Sequence, residues 1–490
     1  MKPRAILVLG LAFAFITGAQ GQDKSVANAP TSATAATAKA APSAGLVNDW
    51  LREQSSAFSA WDIGGEFRMR YDFKENAGEG SSSSVDFMKV LPPGKFNDNA
   101  YLILRERVHL GYTPVDWITA FVEGRDATAI DDRRKPSKVA DTFDLQLAWL
   151  KVGDPKNFPL TAKVGRLDLA YGDERMVGRA DWSNLGPRAF DAGFLRFENQ
   201  NIWVDAFVGR PVMAVYHAMN EPNYHDWLSG IYASSKTLLP FQETQLYFLA
   251  HNADPHSVPA TNPDWINRPS TPQDTYSPGL RFKSLPDKFG GWDYSLEAVL
   301  QFGNVMIGTT RLSQQAYAVM ASGGYTWKKV WGTPRLGVGY DFFSGDSDPH
   351  DSHNGTFEPL FPTNHKPLGL MDLVGEKNIH DPRVHFSFKP VKVVSVNLEW
   401  HYYLLAETAD YLYNDGGVAR VGNGYGSHPQ YSSNVGSEFG LDVIYTPKAW
   451  LACRTGYGHF FVGDYVNQSL AASGRAQDAD CFYAQLTFSF

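Results

Sequence analysis

The final residues, Asp480–Phe490, alternate without a break: Phe482, Ala484, Leu486, Phe488 and Phe490 take one face of an extended segment, and Tyr483, Gln485, Thr487 and Ser489 take the other. A period of two is the period of a strand. An apolar strand at the end of a chain is an edge open to pairing, which soluble proteins blunt or cover. In a closed barrel the edge disappears, because the last strand pairs with the first, with lipid on the apolar face and the lumen on the polar one. The chain is therefore read as all-β, a transmembrane antiparallel up-and-down barrel.

The amino terminus agrees. Lys2 and Arg4 precede the apolar stretch Ala5–Ile16 and a small-residue segment ending at Ala19-Gln20-Gly21. This is the pattern of a signal peptide over 1–21, too short in its apolar run to be a membrane anchor. Residues 22–60 read as a periplasmic linker, with a short helix suggested by the spacing of Leu46, Val47, Trp50, Leu51 and Phe58. Residues 61–490 read as the barrel. A net charge of −8 excludes a general nucleic-acid binder. The two cysteines, Cys453 and Cys481, fall on opposite faces of neighbouring strands, so neither a disulfide nor a metal site is expected from them.

About eighteen segments between 62–73 and 480–490 keep the two-residue period, and most are about nine to twelve residues, the length a tilted strand needs to cross hydrocarbon. Their connections alternate. Short ones include Thr113–Asp116, Asn199–Asn201, Pro390–Val393 and Thr446–Ala449; long ones include Lys74–Ala100, Leu169–Ala189, Ser344–Asp381 and Leu405–Val435. Outer-membrane barrels have short periplasmic turns and long external loops, so both termini are expected in the periplasm. Trp61, Trp117, Trp149, Trp203, Trp292, Trp327, Trp331 and Trp450 all lie beside short turns, as a periplasmic aromatic girdle would.

Alternation assigns faces. In the first strand Glu66, Arg68, Arg70 and Asp72 point to the lumen; in the second Arg105, Arg107 and His109 do. The same reading sends Arg125, Arg281, Lys283, Arg335, Arg383, Lys389 and Arg454 inward, with Arg166 and Arg196 beside them. Glu123, Asp144, Asp205, Asp293, Glu297, Asp341, Glu399, Glu438 and Asp442 join them as the acids. Glu106 then meets lipid, a cost that a bulge would relieve. Each arginine is either a brace in a cross-strand ladder with carboxylates or a contact for a solute. Acids and bases nearly balance, so ion selectivity stays open, and the pattern implies a wide, wet, charged lumen. The segment Leu169–Ala189 is longer than its connection requires. It either folds inward as a constriction or satisfies itself, with Asp173, Glu174, Arg175 and Arg179 pairing with each other or with the wall.

The run Gly165-Arg166-Leu167-Asp168-Leu169-Ala170-Tyr171-Gly172-Asp173-Glu174-Arg175, continued by Asp181-Trp182-Ser183-Asn184 and Phe190-Asp191, resembles the alginate-export family of outer-membrane porins. Ser344-Gly345-Asp346, Val435-Gly436-Ser437-Glu438 and Gly456-Tyr457-Gly458-His459-Phe460-Phe461 resemble it too, so that the likeness spans about 62–490. It implies an eighteen-stranded barrel passing an acidic polysaccharide through an arginine-lined pore. The matching positions are Arg166, Asp173, Glu174, Arg175, Asp181, Trp182, Ser183, Asn184 and Asp191. Guanidinium suits carboxylate because it is planar, bidentate and permanently charged.

The terminal Phe490 is similar to the carboxy-terminal signature read by barrel assembly machinery, and the implied partners are that machinery, outer-membrane lipid, a polysaccharide and periplasmic export components. The family's long periplasmic turn before the penultimate strand is here only Thr446–Ala449. No cofactor is expected and no catalytic residue is assigned, since neither a Gly-x-Ser-x-Gly element nor an HExxH motif occurs. A surface receptor or adhesin, or a barrel enzyme built on the long loops, is the competing reading. His350 and His353, with Asp348 and Asp351, have the best metal-ligand spacing among the loop histidines.

Overall fold

A computed structural model of the protein describes residues 45–490 except 78–83, 136, 217, 258–270, 364, 366 and 475. The expected signal peptide and most of the linker lie outside the described residues. A helix, α1 (Leu46–Gln54), and a 3-10 turn (Ser56–Ala60) lead into the barrel. Asn48 ties α1 to the first strand, its Nδ2 donating to Asp62 Oδ1 at 2.7 Å and its Oδ1 accepting from the Ile63 N–H at 2.8 Å.

Eighteen long strands come next: β1 Trp61–Glu75, β2 Asp98–Val115, β3 Ile118–Ile130, β4 Asp141–Val152, β5 Leu160–Leu167, β6 Phe190–Glu198, β7 Ile202–Met213, β8 Asp226–Ser235 and β9 Gln242–Ala253. The rest are β10 Gln273–Ser284, β11 Trp292–Ile307, β12 Thr310–Thr326, β13 Arg335–Phe343, β14 Ile379–Val391, β15 Val394–Leu405, β16 Asn434–Lys448, β17 Leu451–Val462 and β18 Ala479–Ser489. Each pairs antiparallel with the next. β18 returns to β1 from Glu66↔Ser489 to Glu75↔Asp480, which closes the sheet.

The outer face carries Val108, Leu110, Val164, Val208, Ile231, Leu246, Leu300, Val338 and Val384, all exposed, whereas their sequence neighbours turned to the lumen are mostly buried or half-buried. A water-facing surface of this kind would aggregate, and lipid is its natural contact. Phe490 completes the closing seam: its N–H donates to the Gly65 carbonyl at 3.1 Å, and the Gly65 N–H donates back at 3.1 Å. A Cβ on Gly65 would lie 2.2 Å from the Arg107 carbonyl oxygen and 2.6 Å from the Phe490 ring. Gly65→Leu is therefore expected to lower the yield of folded, heat-modifiable barrel sharply. A normal yield would show that the seam tolerates displacement of Phe490.

Three expectations change. Trp149 and Trp203 leave the girdle and face the lumen: Trp149 stacks on Phe121 at 5.0 Å, and Trp203 lies 4.6 Å from the Arg196 guanidinium. No bulge relieves Glu106, because β1 and β2 pair in unbroken register from Trp61↔Tyr112 to Glu75↔Asp98. It stands outward opposite Asp126, since the opposite phase would turn Arg105 and Arg107 to lipid and away from Glu66. Finally, the long-loop end has one exception: Gly308-Thr309 joins β11 to β12 as a tight turn.

The connections between β1 and β2, β5 and β6, β13 and β14, and β15 and β16 send residues into the barrel mouth. Val85, Phe87, Met176, Val177, Phe357, Leu360, Phe361, Leu368, Met371, Leu373, Val374 and Leu412 come from loops, and they pack with lumen-facing Phe207, Leu228, Leu249, Val299, Phe343, Tyr403 and Phe460 into one buried apolar cluster. The core of this barrel is thus a plug of loops at its long-loop end.

Candidate functional site

The connection between β5 and β6, residues 168–189, crosses the lumen. Tyr171 stacks on Tyr232 of β8 at 4.5 Å and on Phe207 of β7 at 5.3 Å. Gly172 sits beside it at φ +60°, where a Cβ would lie 3.1 Å from the Tyr232 hydroxyl and 3.3 Å from Arg281 Cδ. Glycine allows both the left-handed turn and this approach. Asp173 reaches Arg281 Nη2 at 2.5 Å and Lys283 Nζ at 2.8 Å on β10, and accepts from Ser295 Oγ of β11 at 2.9 Å. Burial works against ionisation of Asp173, but Arg281 and Lys283 outweigh it and hold its carboxyl below the usual range. Arg175 then meets Asp341 of β13 at 2.5 Å.

The chain next returns to the opposite wall through guanidinium-to-carbonyl bonds. Arg68 donates to the Asp181 and Ser183 carbonyls at 3.0 and 2.9 Å and to Asn184 Oδ1 at 3.3 Å. Arg70 donates to the Trp182 carbonyl at 3.0 Å, and Arg105 to those of Asp181, Ser183 and Gly186. Arg125 takes the Leu185 carbonyl and Asp141. Asn184 Nδ2 donates to the Leu104 and Val139 carbonyls at 3.0 and 2.9 Å. Glu66 receives Arg105 at 2.6 Å and Arg107 at 2.8 Å, and both arginines also reach Asp181, at 3.2 and 3.1 Å. Desolvation opposes the charge on Asp181, yet Arg105, Arg107 and Arg68 keep its carboxyl well below the ordinary range.

Arg68, Arg70, Arg105, Arg107 and Arg125, read from the sequence as pore-lining, are thus occupied in strapping this loop to β1–β3. The two readings of the loop merge: it enters the lumen, and its charges pair with the wall. Glu174 stays within the loops, accepting from the Arg179 N–H at 2.9 Å and, across to the connection 344–378, from the Thr363 hydroxyl at 2.6 Å. Trp182 lies 4.0 Å beneath the Arg70 guanidinium and stacks on His365 at 3.9 Å and 2°. His365 belongs to the connection 344–378, which pairs with the first loop through Val177↔Phe361 and the Gly178 N–H to Phe361 carbonyl bond of 2.8 Å.

Glu376, also in 344–378, is 1% exposed, and its Oε1 lies 3.2 Å from Arg175 Nε. Burial outweighs the attraction of Arg175 and pushes its pKa up to about 8. The folded state therefore holds this proton more tightly than the unfolded chain. Its contribution to stability is fully present below the ordinary glutamate range and is lost as pH rises through about 8. Open-channel noise and proteolytic cleavage of the loop should both increase from about pH 5 to about pH 9. Glu376→Gln should flatten that rise, and an equal rise in both proteins would refute the assignment.

Arg166 is a correction. On β5, Val164 is 60% exposed and Leu167 is buried in the plug; on β6, Leu195 and Phe197 are exposed and Phe190 is buried. Arg166 and its partner Asp191, paired at 2.8 Å, share the outward parity. Arg166 also donates to the Leu145 and Asn220 carbonyls, at 3.2 and 3.3 Å, where β4 runs on beyond β5. It closes the wall at a short pairing and does not line the pore. Arg196 does face inward, pairing with Asp205 at 2.6 Å.

Towards the short turns the lumen is wetter. Lys283 and Arg335 keep side-chain exposures of 29% and 26%, against 1% for Arg105. Arg335 pairs with Asp293 at 2.5 Å, Arg383 with Asp341 at 2.9 Å and Arg454 with Asp442 at 2.7 Å. Lys151 and Lys163 differ. They alternate with outward Leu150, Val152, Ala162 and Val164, so both face the lumen, and they are direct cross-strand partners. Among the described residues neither has an ion pair, and Lys163 Nζ sits 4.0 Å from the Trp149 ring centroid. Alternation alone could have revealed them, since Lys151 lies between two apolar outward residues. Nothing in the sequence pointed to Glu376, or to His365 as the partner of Trp182, because both places depend on a loop's path. His350 and His353 do not form a cluster with carboxylates that could hold an ion; the His353 ring lies 3.6 Å from Asp351 and 3.4 Å from Ser352 Oγ.

The family described as alginate export matches residues 60–478. Among solved structures, the outer membrane protein OprD of Pseudomonas aeruginosa has a TM-score of 0.53 at 10% identity, with 87% of this chain and 94% of that chain covered. OccD3 (OpdP) of the same organism has a TM-score of 0.52 at 12% identity, with 87% and 91% covered. At such identities these likenesses speak for the fold. No curated protein sequence matches the chain.

Proposed function

The chain belongs to the alginate export family and is an outer-membrane channel protein, and from that premise we propose that it passes an acidic, alginate-like polysaccharide or its oligomers by passive diffusion. The long loops face the exterior and both termini the periplasm. Phe490 presents the chain to the assembly machinery, lipid covers the outer face, and periplasmic export components deliver the polymer. The driving force comes from elsewhere, because the sequence carries no nucleotide-binding element.

The observation that carries this reading is the lysine pair of the short-turn vestibule. Like charges directly opposite on neighbouring strands repel. Lys151 and Lys163 have no carboxylate at ion-pair distance among the described residues, and Lys163 sits beside the Trp149–Phe121 stack. A uronate would place its carboxylate between the ammonium groups and a sugar face against the rings. Ammonium on a flexible stem is a point charge without bidentate geometry, so the contact is weak and a polymer can slide past it. Above the vestibule, the strapped loop sets the constriction.

Liposome swelling tests the proposal. Uronate oligosaccharides should enter faster than neutral oligosaccharides of equal length, and Lys151→Gln with Lys163→Gln should remove the difference. Equal rates in the unaltered protein would make it a general porin, and no uptake of either would favour a plugged receptor.

A further inference from the structure

We propose that His225, Asp254 and His256 form a transition-metal site on the long-loop face, suited to Zn2+. Their donor atoms all lie within 4.8 Å of one another. His225 Nδ1 is 3.0 Å from Asp254 Oδ2, and His256 Nδ1 is 3.4 Å from Asp254 Oδ1. A tetrahedral zinc with ligands at about 2.0–2.1 Å needs donor-to-donor edges of about 3.3 Å. Each imidazole therefore already lies at such a distance from one oxygen of the Asp254 carboxylate, and rotation of the carboxylate and of the rings, whose centroids are 5.3 Å apart, brings the three donors around one ion.

The backbone holds the donors in place. His225 immediately precedes β8 and Asp254 immediately succeeds β9, and the Asp254 N–H donates to the His225 carbonyl at 3.0 Å, extending their ladder by a further pair. The His225 N–H is held by Asn223 Oδ1 at 3.2 Å. His256 lies in the 3-10 turn Pro255–Ser257, its N–H bound to Asp254 Oδ1 at 2.7 Å. Two imidazoles and a carboxylate are a borderline donor set that favours zinc, nickel or copper over magnesium or calcium. All three residues are exposed, so an ion can reach them and water can take a fourth position. The ion would displace the proton shared between imidazole and carboxylate and clip the segment before β8 to the segment after β9. Nothing in this depends on the solute the channel carries.

The test is calorimetric titration of ZnCl2 into the untagged, chelator-treated full barrel in detergent. About one equivalent should bind, and His225→Ala and His256→Ala should each weaken binding roughly tenfold or more, with excess Mg2+ failing to compete. His350→Ala with His353→Ala should leave it unchanged. Heat-modifiable mobility shows that each variant is folded. Absence of zinc binding, an affinity in either variant equal to that of the unaltered protein, or competition by Mg2+ would overturn the proposal.

Discussion

Excising residues 171–186 and joining the ends with a short Gly/Ser link should raise single-channel conductance severalfold and shift its selectivity towards anions. The excised segment spans the lumen from the Arg281 and Asp341 wall to the Arg68, Arg105 and Arg125 wall. Its removal opens cross-section and deletes three carboxylates, Asp173, Glu174 and Asp181, against two guanidiniums, Arg175 and Arg179. Arg68 loses its carbonyl and amide partners, Arg105 keeps only Glu66, and Lys283 loses its aspartate. Guanidinium cannot shed its proton, so the freed arginines on β1–β3 make the widened lumen more attractive to anions. Conductance unchanged by the excision would move the constriction to the loop 344–378.

Asp341→Ala should be the most disruptive single substitution in the plug. Asp341 is 0% exposed and joins Arg175 of the loop to Arg383 of the wall, at 2.5 and 2.9 Å. Removing one partner of a buried charge pair costs about 3–5 kcal/mol, because the remaining charge stays buried. Arg383 retains Asp381 at 3.1 Å, which places the loss towards the lower bound. Amide exchange in 171–186 should then accelerate roughly a hundredfold or more, with Asp341→Asn intermediate. Protection equal to that of the unaltered protein would mean that the loop is held by its carbonyls on β1–β3 alone.

The strands are legible because lipid imposes one rule on every one of them: the outward face must be apolar, and a period of two results. That rule locates all eighteen long strands and puts Arg68, Arg105, Arg281 and Arg454 on the lumen side. It fails for Arg166, where β5 is short and Gly165 and Ala162 carry little phase information. For Trp149, nearness to a turn suggests the girdle, whereas its parity with Lys151 places it inside, and parity wins. The site is legible only as composition. Which carbonyl meets which arginine is fixed by contacts such as Arg175 to Asp341, 166 residues apart, and no local pattern encodes that. The sequence therefore supplies the charges, and the path of the loop decides which are occupied by the protein itself.

The most direct test of the strapped, anion-accepting lumen is single-channel recording in a planar bilayer, with the reversal potential taken under a salt gradient and polyuronate then added to each side in turn. A small-conductance channel in the unaltered protein is predicted, blocked more strongly from the short-turn side, where Lys151 and Lys163 lie, and widened by the excision of 171–186. A channel that already conducts as well as the excised form and ignores the polymer on both sides would contradict the account.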